Sequence, residues 1–241
     1  MTEPALPSFD LADFGSILFF TGAGLSAECG IPTYRGHGGV WSQYNYEDYA
    51  CQRAFQRDPA QVLDFHELRR TRVLECQPHA GHRHLARLQA AWPQVRVVTQ
   101  NIDGMLQRAG LRVDAELHGS LWRQRCPSHG LREDLDAGPY RHRRCPDCGA
   151  WLRPDITWFE DTVDEEVFDR TRRLVAGCDL FVSVGTSGVV WPAAGFAQLA
   201  RESGARMVEV NPEDNEASPL YRHRLRGPAS AIIPACFPLP G

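Results

Sequence analysis

Five short apolar runs punctuate the chain, at residues 16–20, 95–98, 179–184, 206–210 and 231–233. They are rich in β-branched and aromatic residues and are bounded by glycine, proline or asparagine, the pattern of buried strands. Between several of them lie stretches with helical spacing, notably 80–91 and 165–175. Strands alternating with helices predict an α/β fold built on a Rossmann-type, doubly wound parallel sheet. Ligands bind such sheets beyond the carboxyl ends of the strands. Functional residues are therefore expected directly after each strand. Gly22-Ala23-Gly24, Gln100-Asn101-Ile102-Asp103, Gly185-Thr186-Ser187 and Asn211-Pro212-Glu213 all stand in that position.

Two segments break the alternation. Residues 35–76 are aromatic and polar with helix-like patches, and residues 122–160 hold a cysteine cluster among prolines and arginines. Together they are expected to form a small inserted zinc-binding and helical domain. The Rossmann-type core then takes about residues 10–34, 77–121 and 161–241, within one catalytic unit spanning 1–241. The uncharged stretch 180–200 has the length of a membrane span, but its glycines and Pro192 read as a strand, a turn and a helix start. Residues 1–10 carry acids and prolines, so no signal peptide is expected.

Composition changes this picture in three places. A net charge of −4 gives no reason to expect a nucleic-acid or membrane partner. Of eight cysteines only Cys126, Cys145 and Cys148 are grouped; the others read as buried thiols of a reducing compartment, and a cytoplasmic monomer is expected. All 26 basic residues are arginine, which excludes Schiff-base chemistry on lysine and leaves the chain no lysine of its own to be modified.

The cysteines carry the clearest spacing signal. Cys126-Pro-Ser-His129 and Cys145-Pro-Asp-Cys148 are two pairs with two intervening residues, the arrangement of a tetrahedral structural zinc site. His142 competes with His129 for the fourth place. The same cluster in a nucleic-acid zinc ribbon would need a stronger basic surplus than the seven arginines against four acids between residues 120 and 153.

The glycine turn Gly22-Ala23-Gly24-Leu25-Ser26 is extended by residues 30–36, which include Tyr34 and Arg35. Glycines let a backbone approach a pyrophosphate, and the helix that follows offers unpaired N–H groups to its charge. Further on come Thr99-Gln100-Asn101-Ile102-Asp103-Gly104, Gln107 to Gly110 and His118-Gly119-Ser120. The first stretch reads much like the NAD loop of the sirtuin family, the second resembles that family's catalytic stretch nearly residue for residue, and the resemblance spans roughly residues 15–235.

That resemblance implies an NAD-dependent protein lysine deacylase, which yields nicotinamide, O-acyl-ADP-ribose and free lysine. Gly22, Ala23, Gly24, Ser26, Tyr34 and Arg35 would lie on NAD. Asn101 and Asp103 would shape the pocket that nicotinamide leaves, with Ile102 beside them and Gln100 on the ribose. His118 would be the general base for a ribose hydroxyl, a task suited to a pKa near neutrality. Gly185, Thr186, Ser187, Asn211, Glu213 and Ala229 would hold the adenosine half of NAD, with Thr186 and Ser187 near the phosphates, Asn211 at the ribose and Ala229 beside the adenine. Val189 and Val190 would pair with the acylated peptide, opposite Phe159. There Glu160 replaces a glycine usual in the family, and at the metal site His129 replaces a usual cysteine.

In the branch of the family that removes succinyl and malonyl groups, a Tyr-x₂-Arg pair reads the acyl carboxylate. Here the pair is His66 and Arg69. Arginine grips a carboxylate through two parallel hydrogen bonds, so an acidic acyl group is expected: succinyl, malonyl, glutaryl or related. His66, when neutral, is expected to donate a hydrogen bond and to favour a carboxylate placed differently from that of succinate, as in glutaryl or γ-glutamyl groups. The alternative is that both residues face solvent. At the level of function, an ADP-ribosyltransferase, an NAD hydrolase or a non-catalytic NAD or ADP-ribose binding module remains open.

Overall fold

Four of the five apolar runs become neighbouring strands in the computed structural model, which describes residues 6–34, 38–135 and 138–240. In chain order the strands are β1 (Ile17–Thr21), β2 (Val95–Thr99), β3 (Ala115–Glu116), β4 (Gly119–Cys126) and β5 (Gly130–Glu133). They continue with β6 (Arg153–Ile156), β7 (Leu180–Val184), β8 (Arg206–Asn211) and β9 (His223–Arg226). The main sheet has the order β3-β2-β1-β7-β8-β9 and every pair in it is parallel. A separate antiparallel sheet runs β5-β4-β6. The helices before β2 are α1 (Ala23–Ala27), α2 (Val40–Gln43), α3 (Tyr46–Tyr49), α4 (Gln52–Arg57), α5 (Pro59–Leu74) and α6 (Ala80–Ala91). After it come α7 (Met105–Arg108), α8 (Glu165–Ala176), α9 (Ala194–Glu202) and α10 (Ala229–Cys236).

Side chains alternate across β1, as a strand's period of two requires. Ile17 and Phe19 join a core with Leu85 and Leu88 of α6 and Ile232 and Ile233 of α10. Leu18 and Phe20 point the other way, into a core with Val175 of α8 and Phe196, Ala197 and Ala200 of α9. Helices on both faces explain why these strands read as unbroken apolar runs. The stretch 180–200 is accordingly β7, a turn and α9. Among the described residues no helix is long and apolar enough to cross a membrane.

The fifth run corrects the expectation. Residues 231–233 lie inside α10, not in a strand. The helix buries Ala229, Ile232, Ile233 and Cys236, a spacing of three, one and three that belongs to a helical face. Three consecutive apolar residues sample too little of that period to show it. The sixth strand, β9, is instead His223-Arg224-Leu225-Arg226, in which only Leu225 is fully buried. A charged edge strand of this kind carries no apolar run.

The smaller sheet packs on α5. This helix starts at Asp58, whose carboxylate accepts from Gln61 N at 3.0 Å, with Pro59 in its first turn. Its Val62, Leu63 and Val73 share a core with Leu121, Trp122, Ile156 and Trp158. Arg123 and Arg125 both pair with Asp155, joining β4 to β6. Arg143 pairs with Glu67 of α5.

Arg70 is the largest fully buried side chain in this region. Its guanidinium donates to Gly138 O at 2.9 Å, Leu121 O at 2.7 Å and Asp134 Oδ1 at 2.8 Å. It also lies 4.7 Å from the Trp122 ring and 4.3 Å from that of Tyr140. A planar fork satisfies three separate acceptors here and stacks at the same time. Arg70→Met takes the guanidinium away from Gly138 O, Leu121 O and the Asp134 carboxylate, and should cost about 3–5 kcal/mol in urea unfolding. Arg70→Lys should not restore the loss.

Candidate active site

The sheet reverses its winding between β1 and β7, and the turns that follow these two strands meet there. Gly22 N donates to Val184 O at 2.9 Å, and Gly24 N donates to Gly185 O at 2.9 Å. A Cβ on Gly24 would stand 2.8 Å from Gly185 O, and one on Gly185 would stand 2.2 Å from Leu25 N. Gly185 also has φ +62°, which disfavours any other residue. The glycines are thus required by contact between two backbones. That contact leaves the N-terminus of α1 facing a cleft of about 950 Å³.

The cleft gathers most of the residues singled out in the sequence. From the β1 side come Gly22, Ala23, Gly24 and Tyr34; from β2, Gln100, Asn101 and Ile102; and His118 follows β3. Gly185, Thr186 and Ser187 come from β7, Asn211 and Glu213 from β8, and Ala229 from the start of α10. His66, Arg69, Phe159, Val189 and Val190 line the same cleft. Ser26 and Asp103 are not on its wall but stand behind it, buried. Arg35 lies outside the described residues.

Asn101 is held from three sides. Its N–H donates to Thr99 Oγ1 at 3.0 Å, and its Nδ2 donates to Gly22 O at 3.0 Å and to Ser26 Oγ at 3.4 Å. Asp103 accepts from Met105 N at 2.9 Å, capping the start of α7, and its main-chain O accepts from Trp122 Nε1 at 2.7 Å. Burial raises the Asp103 pKa above the ordinary carboxylate range, against the lowering effect of the bonds from Met105 and Ser26.

His118 Nδ1 lies 3.0 Å from Gln100 O. A carbonyl only accepts, so the proton is on Nδ1 and Nε2 carries the lone pair. Burial lowers the His118 pKa, with the Gln100 contact working the other way. The ring is therefore neutral at neutral pH, with its basic nitrogen free.

Also on the cleft wall, Arg69 donates to Tyr34 Oη at 2.8 Å and its guanidinium lies 4.6 Å from the Tyr34 ring centroid. No carboxylate among the described residues forms an ion pair with it. His66 does not face solvent, being only 1% exposed. When neutral it donates, as expected, but to the main chain and not into the cleft. Its Nδ1 donates to Val62 O at 2.8 Å, one turn back along α5. Burial first, then Arg69 and Arg153, push its pKa down to about 3, so a neutral ring has no second N–H to offer.

Some cleft residues were not singled out in the sequence. Asn215 joins Asn211 in donating to Thr186 O, at 3.1 and 2.8 Å; its place in a polar turn just after a strand was the available hint. Trp41 packs against Tyr34, Phe65 and Phe159, and no local pattern marks it. Glu28 accepts from Ser230 N at 3.1 Å, tying α1 to the start of α10.

Away from the cleft, Cys126, His129, Cys145 and Cys148 converge, and His142 is not among them. His129 Nδ1 lies 3.5 Å from both Cys126 Sγ and Cys145 Sγ, and Cys126 Sγ lies 3.6 Å from Cys148 Sγ. A tetrahedron with metal–sulfur bonds of about 2.3 Å has edges of about 3.7 Å, so three thiols and an imidazole fit a structural zinc ion. Four protein ligands leave no open position for a reacting group. Cys29, His79 and His82 also bring ligand atoms within 4.8 Å of one another. There the His79 nitrogens already bond Leu25 O and Gly81 N.

Comparison with known proteins agrees with this geometry. The Sir2 family model matches residues 22–192. The NAD-dependent protein deacylase 2 of Pyrobaculum aerophilum is 42% identical over 226 residues, covering 93% of this chain and 90% of the relative. The NAD-dependent protein deacylase 1 of Pseudomonas aeruginosa is 41% identical over 234 residues, with 93% and 94% covered. Among solved structures, a Sir2 homolog–NAD complex superposes with a TM-score of 0.85 at 34% identity, covering 96% of this chain and 93% of that one. A Sir2 protein bound to a myristoylated histone peptide gives 0.73 at 28%, with 93% and 90% covered. Glycine turns, asparagine, histidine and thiol cluster thus stand together in a chain that belongs to the Sir2, or sirtuin, family.

Proposed function

We propose that this protein removes acyl groups from protein lysines in an NAD-dependent reaction, with His118 as its general base, and that it favours acyl groups ending in a carboxylate. The observation that carries the deacylase reading is the neutral His118 imidazole, fixed by Gln100 O with its Nε2 lone pair free. NAD, as co-substrate, supplies the ribose that gives up nicotinamide and takes the acyl group. His118 Nε2 accepts the proton that a ribose hydroxyl must lose. Asn101, clamped by Gly22 O and Ser26, positions groups without changing protonation. Asp103 holds the turn into α7 behind it. The names of the relatives and the NAD-bound neighbour support this reading.

Val189, Val190 and Phe159 line the cleft, and by likeness to the family they flank the acyl-lysine peptide. The preference for an acidic acyl group rests on Arg69. It is the one cation among the described residues of the cleft wall, and a half-buried guanidinium whose described partners are the Tyr34 phenol and the Phe65 ring is matched best by a carboxylate.

Nicotinamide release from NAD, measured with peptides bearing acetyl-, succinyl-, glutaryl- and unmodified lysine, tests the whole reading. Release should require an acylated peptide; equal release without one would make the protein an NAD hydrolase. His118→Ala should lower kcat about 10²–10⁴-fold while NAD still binds. In the unaltered enzyme activity is present while the base is neutral and is lost as pH falls through its lowered pKa. The acid limb should therefore lie below the ordinary histidine value of about 6.5. Arg69→Ala should lower kcat/KM for succinyl and glutaryl peptides about 10–100-fold, the worth of hydrogen bonds to a charged group, and far less for acetyl. Stripping zinc with a strong chelator should lower Tm, because metal-binding free energy at such a site is folding free energy. NAD binding should outlast it at temperatures where the fold survives.

A further inference from the structure

The cleft wall holds two unlike groups one turn apart, and only one of them is matched by a plain dicarboxylic acyl chain. Arg69 presents N–H donors. His66, one helical turn before it on α5, presents the opposite. Its single ring proton is committed to Val62 O at 2.8 Å, so Nε2 is a bare acceptor. Among the described residues nothing donates a hydrogen bond to that nitrogen. Its neighbours are aromatic, with Phe65 at 5.2 Å and Trp158 at 5.9 Å between ring centroids. A carboxylate oxygen placed against it would meet lone pair with lone pair.

Resting on the acidic-acyl deacylase reading, we propose that the preferred substrate is a lysine carrying a hydroxylated dicarboxylic acyl group, its carboxylate on Arg69 and its hydroxyl donating to His66 Nε2. The donor is a neutral hydroxyl and not an ammonium because of the charges around it. Arg69 and Arg153 both act against positive charge at the His66 ring, and they oppose an ammonium beside it for the same reason. That argument removes the γ-glutamyl group, whose ammonium would have to enter this field, from the acyl groups expected from the sequence.

Three peptides differing only in the acyl group decide the matter: glutaryl-, 3-hydroxyglutaryl- and γ-glutamyl-lysine. In the unaltered enzyme kcat/KM for 3-hydroxyglutaryl should exceed that for glutaryl by about fivefold or more, the worth of one net hydrogen bond, with γ-glutamyl below both. His66→Phe should bring the first ratio to about one. His66→Tyr, whose hydroxyl can donate to a carboxylate as well as accept, should lower the ratio by raising glutaryl turnover. A ratio near one in the unaltered enzyme, or one that survives His66→Phe, overturns the proposal. Should either variant fail to fold, the ratio in the unaltered enzyme still decides. Glutaryl turnover that depends on Arg69 but ignores the hydroxyl sinks this inference alone. Glutaryl turnover no better than acetyl and indifferent to Arg69→Ala sinks the acidic-acyl reading beneath it.

Discussion

Where β1 and β7 end, the turn at Gly22 to Gly24 lies directly on Gly185, with no side chain between them. Much of the cleft is suspended from that contact. It sets the distance between the two halves of the sheet at the point where the winding reverses, and it aims the start of α1 into the opening. Gly22 O, fixed in the process, receives the Asn101 amide. The segment that carries Asn101 also carries Gln100 O, and Gln100 O orients His118. A backbone contact is thus passed on, through Asn101 and its segment, to the orientation of the His118 ring.

The two histidines of the cleft are set by one device. Each gives its Nδ1 proton to a carbonyl, His118 to Gln100 O and His66 to Val62 O, and each is kept neutral by burial. What differs is the company. His118 lines the cleft beside Gln100, where the proposed reaction needs a proton acceptor, while His66 stands beside a guanidinium in an aromatic wall. The neighbouring arginines diverge in the same way. Arg70 is consumed by three acceptors and two rings inside the small sheet's core, while Arg69, the next residue, points into the cleft.

How much of this was legible in the sequence follows from the range of each interaction. Strands covered by helices on both faces leave unbroken apolar runs, so β1, β2, β7 and β8 could be read directly. Strand β9 could not, because an edge strand with arginines alternates too weakly, and β3 is only two residues long. The run at 231–233 misled because a three-residue window fits a strand as well as one side of α10. At the site, the glycine turns, Asn101, His118 and the thiol spacing are local patterns and were visible. The tautomer of His66 was not, since it depends on a carbonyl one turn back and on burial. Nor does anything in Arg69-Arg70 tell which of the two enters the core.

The ion pairs that join the elements of the small sheet, Arg70 with Asp134, Arg123 and Arg125 with Asp155, and Arg143 with Glu67, all use guanidinium. Acylation neutralises a lysine ammonium and dissolves whatever bridge it made, but guanidinium does not react in that way. A chain with no lysine therefore has a framework inert to the modification it is proposed to reverse. Its charges hold the same values however heavily the lysines of surrounding proteins are acylated.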